Sequence, residues 1–296
     1  MLRPVMIETK GAFMPELPEV ETVCRGLAKK LAGRKIKSVT LNRSGLRVPF
    51  PPALRKLADV KVASISRRAK YVLMNLSDGR TLILHLGMSG RLVIFGKEDV
   101  YKPATHDHLV LTMDDGARVA MNDPRRFGLA TLAQTDALEN HKLFRALGPE
   151  PLGKDFTVKY LAEKLKGKKV AVKPAIMDQR IVVGVGNIYA SEALFAAGID
   201  PEARAGDVGP AALKRLLTEI KRVLKRAIKA GGSSLRDYVQ TDGELGYFQH
   251  QFAVYDREGQ KCKGCVCDIR KTGGVRRIAQ GGRSTFYCPV KQAGLG

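Results

Sequence analysis

The sequence predicts an α+β chain built in two or three parts, and three patterns predict it. Between about residues 35 and 133, short apolar runs alternate with turn signals; after about 135, apolar residues recur at helical spacing; and four of the five cysteines crowd into the last 35 residues. A chain of 296 residues is long enough to bury more than one core, and a hydrophobic share of 44% argues against wholesale disorder.

Taken in order, residues 15–31 read as a helix. Leu17 and Pro18 suit a first turn, and Val20, Val23, Leu27 and Leu31 follow at helical spacing. Val60, Val62 and Ile65 then fall in one strand, and Tyr71, Leu73 and Asn75 in the next. Turns such as Ser77-Asp78-Gly79 and Asp114-Asp115-Gly116 separate the strands, a spacing that fits a sandwich or barrel. Residues 147–151, Leu-Gly-Pro-Glu-Pro, mark a boundary. Beyond it, 157–166, 173–179, 187–196 and 210–230 read as helices. The last carries Lys214, Arg215, Lys221, Arg222, Lys225, Arg226 and Lys229, for most of which a solvated face is the plainer reading. Residues 231–248 are rich in Gly, Ser and Asp and read as a loop, and a cysteine-rich tail begins near 252.

The net charge of +22, with a pI of about 10, calls for a polyanionic partner, and nucleic acid leads because Lys and Arg release counterions condensed on phosphates. No run of 18 apolar residues predicts a membrane span, and the first 13 residues lack the apolar core of a secretory signal, so a cytoplasmic location is expected. In that setting Cys262, Cys265, Cys267 and Cys288 suggest a metal site before a disulfide framework.

Seven segments occur in one order along the chain: Pro-Glu-Leu-Pro-Glu-Val-Glu-Thr (15–22), Arg-Arg-Ala-Lys-Tyr (67–71), His-Leu-Gly-Met-Ser-Gly (85–90), His-Asp-His (106–108), Asp-Pro-Arg-Arg-Phe-Gly (123–128), Val-Gly-Val-Gly-Asn-Ile-Tyr-Ala-Ser-Glu (183–192) and Gly-Arg-Ser-Thr-Phe-Tyr-Cys-Pro (282–289). Together they resemble the formamidopyrimidine-DNA glycosylase family. The Leu-Pro-Glu-Val-Glu continuation is closer to its purine-excising branch than to the endonuclease VIII type. The resemblance implies an N-terminal catalytic β-sandwich over 15–135, a helix–two-turn–helix DNA-binding domain over 147–240 and a zinc-finger-like β-hairpin over 252–292. It implies a monomer that acts on damaged double-stranded DNA, removing oxidised purines and nicking the strand by β,δ-elimination. The alternatives are an oxidised-pyrimidine glycosylase on the same scaffold and a damaged-DNA-binding protein without catalysis.

The chemistry suits the residues. An amine that attacks C1′ of a nucleotide expels the base and forms a Schiff base with the opened sugar. Pro15 can do this only with a free imino nitrogen, because an amide nitrogen has no available lone pair. Residues 1–14 are therefore expected to be an extension or a mis-assigned start, with Met14 removed; by itself Pro15 is a proline opening a helix. Glu16 beside it can move protons, or simply favour the first helical turn. The resemblance gives Glu16 the acid role, Lys70 a part in the elimination, and Arg283 the grip on phosphates flanking the lesion. Lys70 on its own would be a surface charge.

A base inside a duplex must be flipped out, which leaves a gap. Met88, Arg125 and Phe127 match the family's void-filling trio, although core packing would explain Met88 and Phe127 equally well. His106, Arg125 and Lys168 match DNA-contact positions, and Asn187, in a Gly-rich turn entering a helix, is expected to present amides to phosphate. The 231–248 loop is where the family closes over the flipped base. Structural zinc needs four ligands. Cys262, Cys265 and Cys288 fill three corners, Lys291 stands where the fourth cysteine is expected, and Cys267 is the candidate replacement; a metal-free hairpin is the alternative.

Overall fold

The computed structural model describes residues 14–233 and 247–294. The chain-start expectation and most of the 231–248 loop lie outside them.

The first helix, α1 (Leu17–Leu31), buries Val20, Val23, Leu27 and Leu31, as its periodicity requires. It packs on two four-stranded antiparallel sheets. One has the order β1 (Ile36–Leu41), β6 (Asp107–Met113), β7 (Arg118–Asn122), β5 (Arg91–Phe95). The other has the order β2 (Val62–Arg68), β3 (Tyr71–Leu76), β4 (Arg80–His85), β8 (Leu129–Gln134). The sequence left sandwich and barrel open, and the separate sheets make it a sandwich. Side chains alternate across each strand, so Val72, Met74 and Leu76 face Leu109, Leu111 and Met121 in one core that α1 caps. Val60 falls just before β2, a correction of the predicted strand, because its N–H and C=O serve the turn around Leu57 and Ile36 instead of the β2–β3 ladder.

The second body is helical: α2 (Val158–Leu165), α3 (Val172–Met177), α4 (Asn187–Ala197) and α5 (Pro210–Lys229). α4 is buried on nearly every side. α5 is amphipathic, with Leu213, Leu216, Ile220, Val223 and Leu224 inside and Lys214, Arg215, Lys225 and Lys229 in solvent, as its charge pattern suggested. Phe248, Phe252, Tyr255 and Phe286 join the same core, so the tail is anchored on the helices. From this base projects a two-stranded hairpin of β9 (Arg276–Gln280) and β10 (Arg283–Tyr287). Its two-residue turn, Gly281-Gly282, has both φ values positive, the conformation such tight turns need.

Candidate active site

Glu16 ends the extended lead-in and caps α1, and it is almost wholly buried. Its carboxylate crosses to the other body. One oxygen accepts the Gly186 N–H at 2.9 Å and the other accepts the Ile188 N–H at 3.0 Å. Leu17 donates its N–H to the Gly184 carbonyl beside them. The start of α4 has unpaired N–H groups and a positive dipole end, and the Glu16 carboxylate occupies it. Burial raises the Glu16 carboxyl to about 7, against the opposing pull of Lys70. Glu19, also buried, accepts the Tyr189 hydroxyl at 2.5 Å and the Ser233 N–H and hydroxyl at 2.8 and 2.9 Å.

Lys70 stands on the β2–β3 turn, where Ala69 takes a positive φ of 54°. Glu150, in the boundary segment, fixes that turn: it accepts Arg67 Nη1 at 2.7 Å, Arg68 Nη1 at 3.0 Å and the Ala69 N–H at 2.7 Å. Lys70 is half-buried and not a free surface charge. Burial pulls its ammonium down, Glu16 pulls it back up, and Arg283 adds to the depression. Arg283, exposed beside the hairpin turn, therefore shares one electrostatic neighbourhood with Lys70 and Glu16.

Asn187 has a different set of partners from the one expected. The amides entering α4 go to Glu16, and the Asn187 side chain donates to the Ser284 carbonyl at 2.9 Å and the Tyr255 hydroxyl at 3.3 Å. Its Oδ1 accepts Lys173 Nζ at 2.5 Å. Sequence reasoning missed Lys173, which is buried and also donates to Thr285 Oγ1 at 2.6 Å. Burial lowers it to about 8. The available signal was a lysine inside the otherwise apolar 170–177 stretch. A cavity of about 210 Å³, lined by Lys173, Asp178, Gln280 and Arg283 among others, opens between α3 and the hairpin turn.

Met88, half-buried, lies on the β4–β5 crossing, and Arg125 and Phe127 on the β7–β8 crossing. Phe127 is 43% exposed, which rules out the core-packing reading for it, and the Arg125 guanidinium sits 4.9 Å from its ring centroid. His106 is exposed next to that crossing, its carbonyl accepting the Asp123 N–H at 3.0 Å. Lys168 is exposed after α2; Asp178, which lines the cavity beside Arg283, is held below its usual range chiefly by its hydrogen-bonded partner Arg180, with a smaller pull from Lys168.

The four tail cysteines come together. Their sulfurs all lie within 4.8 Å of one another, with closest pairs at 3.2, 3.5, 3.7 and 3.8 Å. A tetrahedral ion with bonds of about 2.3 Å sets its ligand sulfurs about 3.8 Å apart, so this cluster fits one. The Cys267 sulfur is the fourth of this cluster. Lys291 reaches the cluster only through its backbone N–H, 3.4 Å from Cys288 Sγ, while its ammonium rests 4.3 Å from the Phe195 ring centroid. No helix among the described residues is long and apolar enough to cross a membrane.

Residues 14–130 match the model of the formamidopyrimidine-DNA glycosylase N-terminal domain, and 147–239 match that of the family's H2TH domain. The chain is 50% identical over 280 residues to the formamidopyrimidine-DNA glycosylase of Rhodospirillum rubrum, covering 94% of this chain and all of that one. It is 53% identical over 286 residues to that of Cereibacter sphaeroides, with the same coverage. Among solved structures it resembles the Lactococcus lactis protein in complex with DNA containing an abasic site (34% identity, TM-score 0.85, covering 94% of this chain and all of that one). It also resembles the Thermus thermophilus protein (35% identity, TM-score 0.83, covering 94% and 98%). The chain belongs to the formamidopyrimidine-DNA glycosylase family.

Proposed function

We propose that this chain removes oxidised purines, formamidopyrimidines and 8-oxoguanine, from duplex DNA and then nicks the strand, with Pro15 as nucleophile. One observation carries the reading: Lys70, from the sandwich, feels the charges of both Glu16, the neighbour of Pro15 in the chain, and Arg283, from the hairpin. The imino nitrogen of Pro15 attacks C1′, the glycosidic bond breaks, and the base leaves with a proton. Glu16, with a carboxyl near 7, is half protonated near neutrality and can give that proton to the sugar oxygen or the departing base. Lys70, a depressed amine, assists proton removal in the eliminations that expel the flanking phosphates, which Arg283 holds.

The +22 charge supplies affinity for the DNA backbone, with His106, Arg125 and Lys168 as phosphate or base contacts, and Met88, Arg125 and Phe127 fill the gap left by the flipped base. Asn187 contributes by bracing the hairpin through Ser284. Cys262, Cys265, Cys267 and Cys288 would hold one structural zinc ion, which pins the base of the hairpin that presents Arg283.

The mechanism requires that Pro15 be the first residue of the working enzyme. Intact-mass analysis of purified protein, combined with borohydride trapping on an 8-oxoguanine duplex, tests this. The expected result is a chain beginning at Pro15 that forms a covalent adduct, greatly weakened in Pro15→Gly. Active protein retaining Met14 overturns the nucleophile assignment, and faster excision of thymine glycol than of 8-oxoguanine overturns the substrate assignment.

A further inference from the structure

Both loops that carry the proposed void-filling side chains cross between the two sheets: Leu86–Gly90 joins β4 to β5, and residues 123–128 join β7 to β8. They are fastened to each other at one hydroxyl. Ser89 Oγ donates to Asp123 Oδ1 at 2.7 Å and accepts the Arg125 N–H at 3.2 Å. Asp123 is fully buried, and its second carboxylate oxygen accepts the Gly128 N–H at 2.7 Å, closing the 123–128 loop on itself. Its carbonyl pairs with His108 Nε2 at 2.9 Å, tying the loop to β6.

The loops also meet backbone to backbone. Gly87 has a φ of +63°, and a side chain there would strike the Phe127 backbone; one at Gly128 would strike the Asp123 carboxylate and Met121. Met88 sits between Gly87 and Ser89, and Arg125 and Phe127 sit between Asp123 and Gly128. The parts of both loops that touch each other are thus the neighbours of the parts that face outward.

We propose that Ser89 and Asp123 are positioning residues that hold Met88, Arg125 and Phe127 as one preformed wedge. The inference rests on the void-filling reading above. Inserting side chains into a base stack requires that they arrive together and already oriented, because ordering them during insertion would subtract from the binding energy that opens the stack. The Ser89 hydroxyl couples the apolar side of the wedge, Met88, to the backbone that aims the Arg125 guanidinium at the orphaned base. The loss of that coupling should reach both base extrusion and discrimination of the base opposite the lesion.

The test uses the full enzyme and its Ser89→Ala, Ser89→Thr and Arg125→Ala variants. Single-turnover excision is measured on 8-oxoguanine opposite cytosine and opposite adenine, alongside cleavage of a preformed abasic site in single-stranded DNA, where no stack needs filling. Ser89→Ala removes both hydrogen bonds of the hydroxyl, to Asp123 and from the Arg125 N–H, and should lower duplex excision about tenfold or more. It should narrow the difference between the two opposing bases and leave single-strand cleavage within about twofold, and Ser89→Thr, which keeps the hydroxyl, should restore duplex excision. Wild-type duplex excision by Ser89→Ala beside an impaired Arg125→Ala overturns this inference and leaves the wedge reading standing. Equal losses on duplex and single strand also overturn it, because the hydroxyl would then be holding the fold. Full activity in both variants takes down the wedge reading itself.

Discussion

The carboxylate of Glu16 receives the backbone N–H of Ile188 at 3.0 Å, so the residue beside the proposed nucleophile is fixed by a helix of the other body. That seat is buried, and burial raises the carboxyl to about 7 from an ordinary 4.5. The folded chain therefore binds this proton more tightly than the unfolded chain does. The associated stability is full below about 4.5 and is lost as pH rises through about 7. Glu16→Gln removes the titration. Its melting temperature should rise relative to wild type on going from about pH 5 to about pH 8, while base excision falls by about a hundredfold or more. A melting difference that stays flat across that range would show that the carboxyl is not held up.

Gly186 makes the same seat possible. It precedes α4 in extended conformation, and a Cβ there would overlap the Glu16 carboxyl group. Gly186→Ala should displace Glu16 and lower single-turnover excision by about a hundredfold, with a stability cost of about 1–3 kcal/mol. Denaturant unfolding and excision kinetics measured on one preparation check both; an alanine variant of full activity would mean that Glu16 works from another position.

Much of the fold was legible because it is local. The period of α1, the alternation in β3 and the charge face of α5 are written over a few turns or a few residues, and the tail cysteines are close in sequence. The partners of the site are not local. Lys173 meets Thr285 across 112 positions, and Glu16 meets Ile188 across 172. Nothing in either neighbourhood signals the other, so Lys173 passed unnoticed, and so did the Glu16 carboxylate that accepts the Gly186 and Ile188 amides. The ordered motifs brought Lys70 and Arg283 into view, but not the reason Lys70 is held in place, which lies in Glu150, a residue that sequence reading used only as a boundary marker.

Glu150 makes that reason testable. It bonds Arg67, Arg68 and the Ala69 N–H, while Arg68 also donates to the Gly148 carbonyl at 2.7 Å. Glu150→Ala takes one carboxylate partner from each of two half-buried guanidinium groups, leaving Arg67 with Glu21 and Arg68 with the Gly148 carbonyl, and frees the turn that carries Lys70, at an expected cost of about 1–3 kcal/mol after allowance for solvent screening at this partly exposed site. The elimination step should slow more than base release, because Lys70 is assigned to elimination. Quantifying released base and nicked strand separately checks this, and equal slowing of both would detach Glu150 from Lys70.

The cysteine cluster makes a prediction that separates two neighbouring positions. If Cys267 supplies the fourth thiolate, Cys267→Ser should lose most of its zinc, because a serine hydroxyl is a poor substitute for thiolate in a tetrahedral site. Lys291→Ala should keep its zinc and lose only the contact of its ammonium with the Phe195 ring, worth about 0.5–1 kcal/mol. Metal content by elemental analysis distinguishes the two. Chelation of wild type should then weaken DNA binding, because metal affinity at such a site is also folding energy and the unpinned hairpin no longer presents Arg283. Zinc retained in full by Cys267→Ser would return the fourth position to another group. Wild-type protein purified without zinc, active and indifferent to chelator, would mean that the packing of Phe252, Tyr255 and Phe286 holds the hairpin by itself.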